Sequence, residues 1–222
     1  MSTLSKSTRI TSICLLSAAA LALADDHAAA LVGPDAALLK LREGNARFVT
    51  NKLSSGKPNT AKREETAKAQ HPFAIVVACA DSRTAPEIVF DSTIGDLFVV
   101  RTAGNLVDDH TLGSIEYAVG HLGSRLVVVL GHQRCGAVSA ALASETAPGH
   151  IQSLVRDILP AVTAVKGKPG DATDNAILEN ARLIAGRIGN EAEIGDLKKE
   201  VRVVSAVYNF DTGKVEWSGA TK

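Results

Sequence analysis

The sequence has no excess of charge of either sign. Among its 222 residues, 24 lysines and arginines balance 24 aspartates and glutamates, so the formal net charge is zero. With this balance, nothing in the composition argues for a nucleic-acid partner or an anionic membrane surface, and we expect no nucleic-acid partner. Aromatic residues are also scarce, at 4%. The apolar residues are mostly alanine, valine, leucine and isoleucine, a composition typical of buried parallel strands covered by alanine-rich helices.

The sequence has no apolar run long enough to span a membrane comfortably. Its longest apolar run lies near the N-terminus. Lys6 and Arg9 precede the stretch ITSICLLSAAALALA, which ends in the small-x-small pattern of a signal-peptide cleavage site. The stretch is short for a membrane span, although an uncleaved anchor is the alternative. We expect residues 1–24 to be a signal peptide, and residues 25–222 to form one domain that is periplasmic or secreted. No stable membrane insertion is expected after cleavage.

Cysteine is scarce, and export makes it scarcer. Of three cysteines, Cys14 leaves with the signal peptide, and Cys79 and Cys135 remain. In an oxidising compartment two cysteines could form a disulfide. A disulfide does not need neighbouring His, Asp or Arg residues, so the residues around each cysteine must decide between a disulfide and a metal site.

Four apolar segments predict β-strands, and helical patterns separate them. The strand segments are FAIVVAC (73–79), LFVVRT (97–102), LVVVL (126–130) and VRVVSAVYN (201–209). Helical patterns are predicted at 34–52, 60–70, 85–90, 111–122, 136–144 and within 151–188. Continuously apolar strands alternating with helices indicate an α/β fold with a mostly parallel sheet flanked by helices. The turn Asp211-Thr212-Gly213 predicts a C-terminal hairpin that adds an antiparallel edge strand.

Polar residues follow the ends of two of these strands. The first strand ends in Cys79-Ala-Asp81-Ser-Arg83, and His132 and Cys135 follow the third. In an open parallel sheet, ligand sites form beyond the carboxyl ends of the strands, where the strand order reverses. Two thiolates and one imidazole suit tetrahedral zinc and leave a fourth position open, as in catalytic zinc sites. The alternatives are a Cys79–Cys135 disulfide, a buried structural cysteine or a hydrogen-bonded core histidine.

The segments CADSR, GDLFVVRTAGN, GSIEYAVGHLG and LGHQRCGA, in this order and spacing, resemble the β-class carbonic anhydrases. The resemblance covers nearly the whole chain after the signal peptide. It implies that Cys79, His132 and Cys135 bind one Zn²⁺ per chain. It also implies that Asp81, paired with Arg83, orients zinc-bound hydroxide toward carbon dioxide, or alternatively swings onto the zinc as a fourth ligand and closes the site.

Further positions follow from the resemblance residue by residue. Family sites lie at a dimer interface, which implies a homodimer or a larger even oligomer with N-terminal helices packed on the partner. The implied substrate pocket consists of Gln70 from the partner chain, Phe98, Ala103, Tyr117 and Gly136. One departure is Val76, where some bacterial members have a tryptophan that, with a residue such as Arg101, binds inhibitory bicarbonate. We therefore expect Asp81 to pair with Arg83 at rest. Thr102 also replaces a common asparagine.

The implied activity is the reversible hydration of carbon dioxide to bicarbonate and a proton. The same site could instead hydrolyse carbon disulfide or carbonyl sulfide. A non-catalytic zinc or redox module is a third possibility. A nucleotide-binding domain is disfavoured because no strand is followed by a Gly-x-Gly-x-x-Gly loop. His110, His121 or buffer could accept the released proton.

Overall fold

The computed structural model describes residues 31–54, 60–191, 194 and 200–218. The predicted signal peptide, residues 1–24, lies outside these ranges. Within them, no helix combines the length and the apolar character that a membrane span requires.

The elements alternate along the chain as the apolar pattern predicts. The helices are α1 (Pro34–Val49), α2 (Thr60–Thr66), α3 (Pro86–Val89), α4 (Asp109–Gly120), α5 (Gly136–Ala143), α6 (Ile151–Val165) and α7 (Ala172–Asn190). The strands are β1 (Ala74–Cys79), β2 (Leu97–Thr102), β3 (Leu126–His132), β4 (Arg202–Tyr208) and β5 (Val215–Trp217). A short 3₁₀ turn, Ala103–Asn105, follows β2.

The five strands form one sheet in the order β2-β1-β3-β4-β5. The first four strands are parallel, and β5 is antiparallel to β4, which confirms the predicted fold class and the C-terminal hairpin. The strand order reverses between β1 and β3, because β2 lies on one side of β1 while β4 lies beyond β3. The carboxyl ends of β1 and β3 are therefore the place where a ligand site is expected.

Helices cover both faces of the sheet, because alternate strand residues enter two separate apolar clusters. One cluster packs residues such as Ile75 and Val127 against α4, α5, α6 and α7. The other packs Val76 and Val128 against α1 and α3. The first cluster is built mostly from valine, isoleucine and alanine, and the second mostly from valine, alanine and leucine. Strands that are buried on both faces thus account for the aliphatic composition of the chain.

Helix α1 is fastened to the C-terminal hairpin by one buried asparagine. The Asn45 amide donates to the carbonyls of Gly213, at 2.9 Å, and Val89, at 3.2 Å, while its oxygen accepts from the Val215 N–H at 2.9 Å. Gly44 precedes it because a Cβ atom there would lie 1.9 Å from the Phe90 carbonyl oxygen. Helix α1 thus packs on its own chain's sheet, and the contact with a dimer partner stays a prediction.

Several predicted boundaries differ from the structure. Strand β3 continues through His132, two residues beyond the predicted end, since Gly131 and His132 pair with Val207 and Tyr208 of β4. Gly131 also permits α7 to pack closely, because a Cβ atom there would lie 3.3 Å from Ile177. The predicted helical region 151–188 is two helices, α6 and α7, separated at glycines 167 and 170, which both have positive φ. Helix α2 ends at Thr66 rather than residue 70.

Candidate metal centre

Two strand ends and one helix start bring two thiols and an imidazole together. Cys79 is the last residue of β1, His132 is the last residue of β3, and Cys135 is the N-cap of α5. All three are buried, with exposed fractions of 5%, 0% and 1%. Their potential ligand atoms lie within 4.8 Å of one another. Ligands around tetrahedral zinc lie about 3.5–4 Å apart, so the cluster is close to the spacing that zinc needs.

The His132 ring has one nitrogen with a hydrogen-bond partner and one without. Its Nδ1 lies 2.9 Å from the Gln133 carbonyl oxygen, and a carbonyl can only accept, so Nδ1 carries the proton. Nε2 then presents a lone pair, and it has no hydrogen-bond partner among the described residues although it is fully buried. A buried polar atom without a partner is costly. A metal ion beside the two thiols would satisfy it, so the donor set fits zinc.

Cys79 and Cys135 are free thiols, not a disulfide. The neighbouring Cys135 thiol lowers the pKa of the Cys79 thiol despite the opposing effect of burial. The neighbouring Cys79 sulfur and burial raise the pKa of the Cys135 thiol. The pair therefore holds one negative charge readily, and a second thiolate needs a compensating cation.

Asp81 lies beside the cluster and is held by Arg83. Its two carboxylate oxygens accept from Nε and Nη2 of Arg83, at 2.9 and 2.7 Å, and Oδ1 also accepts from the Arg83 backbone N–H at 2.9 Å. These bonds hold the pKa of Asp81 well below its usual range. The other carboxylate oxygen, Oδ2, lies 3.9 Å from Nε2 of His132. An ionised carboxylate thus faces the same space as the potential metal ligands.

A sequence profile described as carbonic anhydrase matches residues 74–215. The chain belongs to the carbonic anhydrase family. Among curated relatives, it is 48% identical over 133 residues to carbonic anhydrase 2 of Mycobacterium tuberculosis (strain H37Rv), a match covering 58% of this chain and 64% of that protein. It is 45% identical over 133 residues to a carbonic anhydrase of Mycolicibacterium smegmatis, covering 58% and 65%. The chain thus spans slightly less than two thirds of the length of these relatives.

Solved structures assign the fold to the β class of carbonic anhydrases. One of two tetrameric β-carbonic anhydrases from Sordaria macrospora superposes with a TM-score of 0.67 at 22% identity, covering 81% of this chain and 96% of that one. The Coccomyxa β-carbonic anhydrase, solved with acetazolamide, gives a TM-score of 0.64 at 26% identity and covers 79% and 83%. The sheet order and the flanking helices are therefore those of this class.

The structure places the predicted pocket residues at different depths below the surface of the chain. Phe98 on β2 is half-buried and packs against the main core cluster, and Ala103 begins the 3₁₀ turn after β2. Gly136 is the first residue of α5, directly after Cys135. Gln70 is exposed, and Tyr117 is 46% exposed on α4, where its ring stacks on His121 at 5.2 Å. The pocket roles of these five residues stay predictions.

Two groups that help to build the site were not recognised from the sequence as parts of it. The backbone N–H of Gly104 donates to the Cys79 sulfur at 3.3 Å, and a positive φ of 71° at Gly104 allows the chain to turn toward that sulfur. The Arg101 guanidinium donates to the carbonyl oxygens of Cys79, at 2.9 Å, and Asp81, at 2.6 Å. Only the Gly104 turn could have been found from the sequence, because the Ala-Gly-Asn segment after β2 is typical of a turn. No local pattern marks Arg101.

Arg101 is therefore engaged with the backbone that carries the cluster. Thr102 also has a structural role, because its hydroxyl donates to the Leu106 carbonyl and closes the turn that contains Gly104. Arg101 thus holds the backbone of Cys79 and Asp81, and Thr102 holds the turn that contains Gly104, so the two segments keep fixed positions beside the cluster.

Proposed function

We propose that this chain catalyses the reversible hydration of carbon dioxide to bicarbonate and a proton, with one Zn²⁺ held by Cys79, His132 and Cys135. The observation that carries the proposal is the buried cluster itself: two free thiols and an unpartnered imidazole nitrogen, with the Asp81 carboxylate 3.9 Å from that nitrogen. Family membership and the names of the mycobacterial relatives support the same activity.

Zinc at these ligands would supply a Lewis acid that lowers the pKa of water toward neutrality. The chain's own residues then have separate tasks. Asp81 is ionised, so it can only accept hydrogen bonds, and it holds a reacting water by one proton while the water oxygen remains free to attack carbon. A carbon–oxygen bond forms, one π bond of carbon dioxide opens, and the proton leaves to solvent, to buffer or through His110 or His121.

Arg83 and Arg101 keep this geometry in place. Arg83 fixes both oxygens of Asp81, and Arg101 fixes the backbone on either side of the loop that carries Asp81. Burial of His132, Cys79 and Cys135 keeps bulk water from the ligands, so that electrostatic interactions in the site are weakly screened. Gln70, Phe98, Ala103, Tyr117 and Gly136 are proposed to form the surrounding pocket, with Gln70 supplied by a dimer partner.

The test combines metal analysis with a stopped-flow hydration assay on the purified protein and on two histidine variants. His132→Asn removes the proposed ligand, whereas the matched His150→Asn changes an exposed histidine at the start of α6. We expect one zinc per chain and carbon dioxide hydration in the wild type and in His150→Asn. His132→Asn should lose both while its circular dichroism spectrum stays native.

A wild-type protein that binds zinc but does not hydrate carbon dioxide would contradict the proposal. Carbon disulfide and carbonyl sulfide, assayed in parallel, would then show whether the same site acts on a related small substrate.

A further inference from the structure

Phe210 is an aromatic residue beside the site that has no part in the proposed chemistry. It lies two residues after β4, in the loop that leads to β5, and it is half-buried. The guanidinium carbon of Arg83 lies 4.4 Å from the centre of its ring, and the His132 ring lies 5.1 Å away. One side chain thus contacts both the partner of Asp81 and a potential metal ligand.

Three pairs of residues tie the end of β4 and the loop that carries Phe210 to the segment that follows β3. The backbone N–H of Phe210 donates to the Gln133 side-chain oxygen at 3.0 Å, and the Gln133 N–H donates to the Tyr208 carbonyl at 3.0 Å. Arg134 makes two hydrogen bonds to the Asp211 carboxylate, at 3.0 and 2.9 Å. The position of the Phe210 ring is therefore set by the segment between His132 and Cys135.

Arg83 needs such a neighbour because half of its side chain, 52%, is exposed. A long side chain at the surface loses rotamer entropy when it is fixed in one geometry. Beyond Asp81, its other hydrogen bond to a described residue is a long one, 3.5 Å, to the Arg134 carbonyl. A guanidinium over an aromatic face gains an attraction that an aliphatic side chain of similar size does not provide. Phe210 can therefore restrict Arg83, and through Arg83 the Asp81 carboxylate.

We propose that Phe210 is a positioning residue, whose ring holds the Arg83 guanidinium in the orientation that fixes Asp81 toward the metal centre. This inference rests on the proposed function, because Asp81 matters only if the centre is catalytic. It assigns the C-terminal hairpin loop a role in turnover, in addition to its role in closing the sheet.

The test compares Phe210→Leu, which keeps an apolar side chain without an aromatic face, with Phe210→Tyr, which keeps the face. Phe48→Leu is the matched control, since Phe48 packs on Tyr208 and Gly213 of the same hairpin. Two quantities are measured: water exchange of the Arg83 Nε–H by NMR, which requires neither zinc nor substrate, and kcat and KM for hydration. Phe210→Met replaces the Leu variant if that variant does not fold.

We expect Phe210→Leu to speed the exchange and to lower kcat, each about two- to fivefold, with little change in KM. Phe210→Tyr should restore both quantities, and Phe48→Leu should change neither. The proposal is overturned if Phe210→Leu leaves the exchange rate of the Arg83 Nε–H unchanged, or if the exchange rate rises without a fall in kcat. It is also overturned if Phe210→Tyr does not restore both quantities. An inactive wild type would contradict the proposed function instead, and the exchange rates would still decide whether Phe210 restricts Arg83.

Discussion

At the scale of single residues, the neighbours of each side chain determine its chemistry. Asp81 and Asp157 both pair with an adjacent arginine, but Asp157 is exposed on α6, whereas Asp81 faces a buried imidazole nitrogen. Arg83 keeps the Asp81 carboxylate ionised, so Asp81 acts as a hydrogen-bond acceptor and not as an acid. An Asp–Arg ion pair is therefore a surface contact on α6, whereas beside the buried histidine it holds a carboxylate at the candidate metal centre.

Asp81→Asn should lower kcat/KM for carbon dioxide hydration by about 100-fold, the range for losing one preorganised hydrogen-bonding group of an active site. The asparagine amide can donate as well as accept, so a water in the site is no longer held by its proton alone. Stopped-flow assays at pH 8 measure the effect, with Asp157→Asn as the matched control that keeps wild-type rates. A rate for Asp81→Asn within twofold of wild type would rule out the proposed role.

At the scale of elements, local capping sets where helices start. Helix α4 begins with a capping box, in which the Asp108 carboxylate accepts from the Thr111 N–H at 2.9 Å and the Thr111 hydroxyl accepts from the Asp108 N–H at 2.6 Å. The helix start is thus determined by two residues that are adjacent on the first turn. Contacts elsewhere in the fold are not needed to specify it.

Asp108→Ala should lower the free energy of unfolding by about 1 kcal/mol at pH 7, the common cost of losing an N-cap. Hydrogen bonds from the Thr111 N–H and hydroxyl lower the pKa of Asp108 in the folded chain. The contribution is therefore fully present above the unfolded pKa, about 3.9, and is lost as the pH falls toward the folded pKa. Urea unfolding at pH 7 and at lower pH should show the difference between the variant and the wild type shrinking in acid.

Asp109→Ala serves as the control for this experiment, because it removes a carboxylate from the same turn and leaves the cap intact. An equal loss of stability in both variants would show that charge near the helix start, and not the cap, is responsible. A loss for Asp108→Ala that does not change with pH would contradict the role given to the ionised Asp108 carboxylate.

At the scale of the whole molecule, one edge of the sheet is open in the single chain. Strand β2 pairs only with β1 among the described strands, and Leu97, Phe98 and Val99 on it are partly exposed. Edge strands with apolar side chains tend to pair or to be covered. This edge lies next to the metal centre, because Thr102 at its end pairs with Cys79. A partner chain on β2 would therefore also be close to the site.

We expect the purified protein to be a dimer or a larger even oligomer, and Val99→Lys to shift it toward the monomer, because a charged side chain on an edge strand opposes pairing. Light scattering coupled to gel filtration measures the mass. Glu216→Lys on β5, the opposite edge, should leave at least the dimer. A wild-type monomer at all concentrations would contradict the oligomer prediction, and a dimeric Val99→Lys protein would place the interface elsewhere.

The sequence by itself determined the fold class and the identity of the cluster, because both depend on local order along the chain. Apolar runs separated by helical patterns predict a parallel sheet, and the Cys and His residues at the ends of the first and third runs can then meet at its carboxyl edge. Only the tertiary structure decided what holds the cluster. The contacts of Arg101, Gly104 and Phe210 with it join residues at least 20 positions apart. Local patterning does not record such contacts, since they arise only when the loops after β1, β2 and β4 pack at the same edge of the sheet.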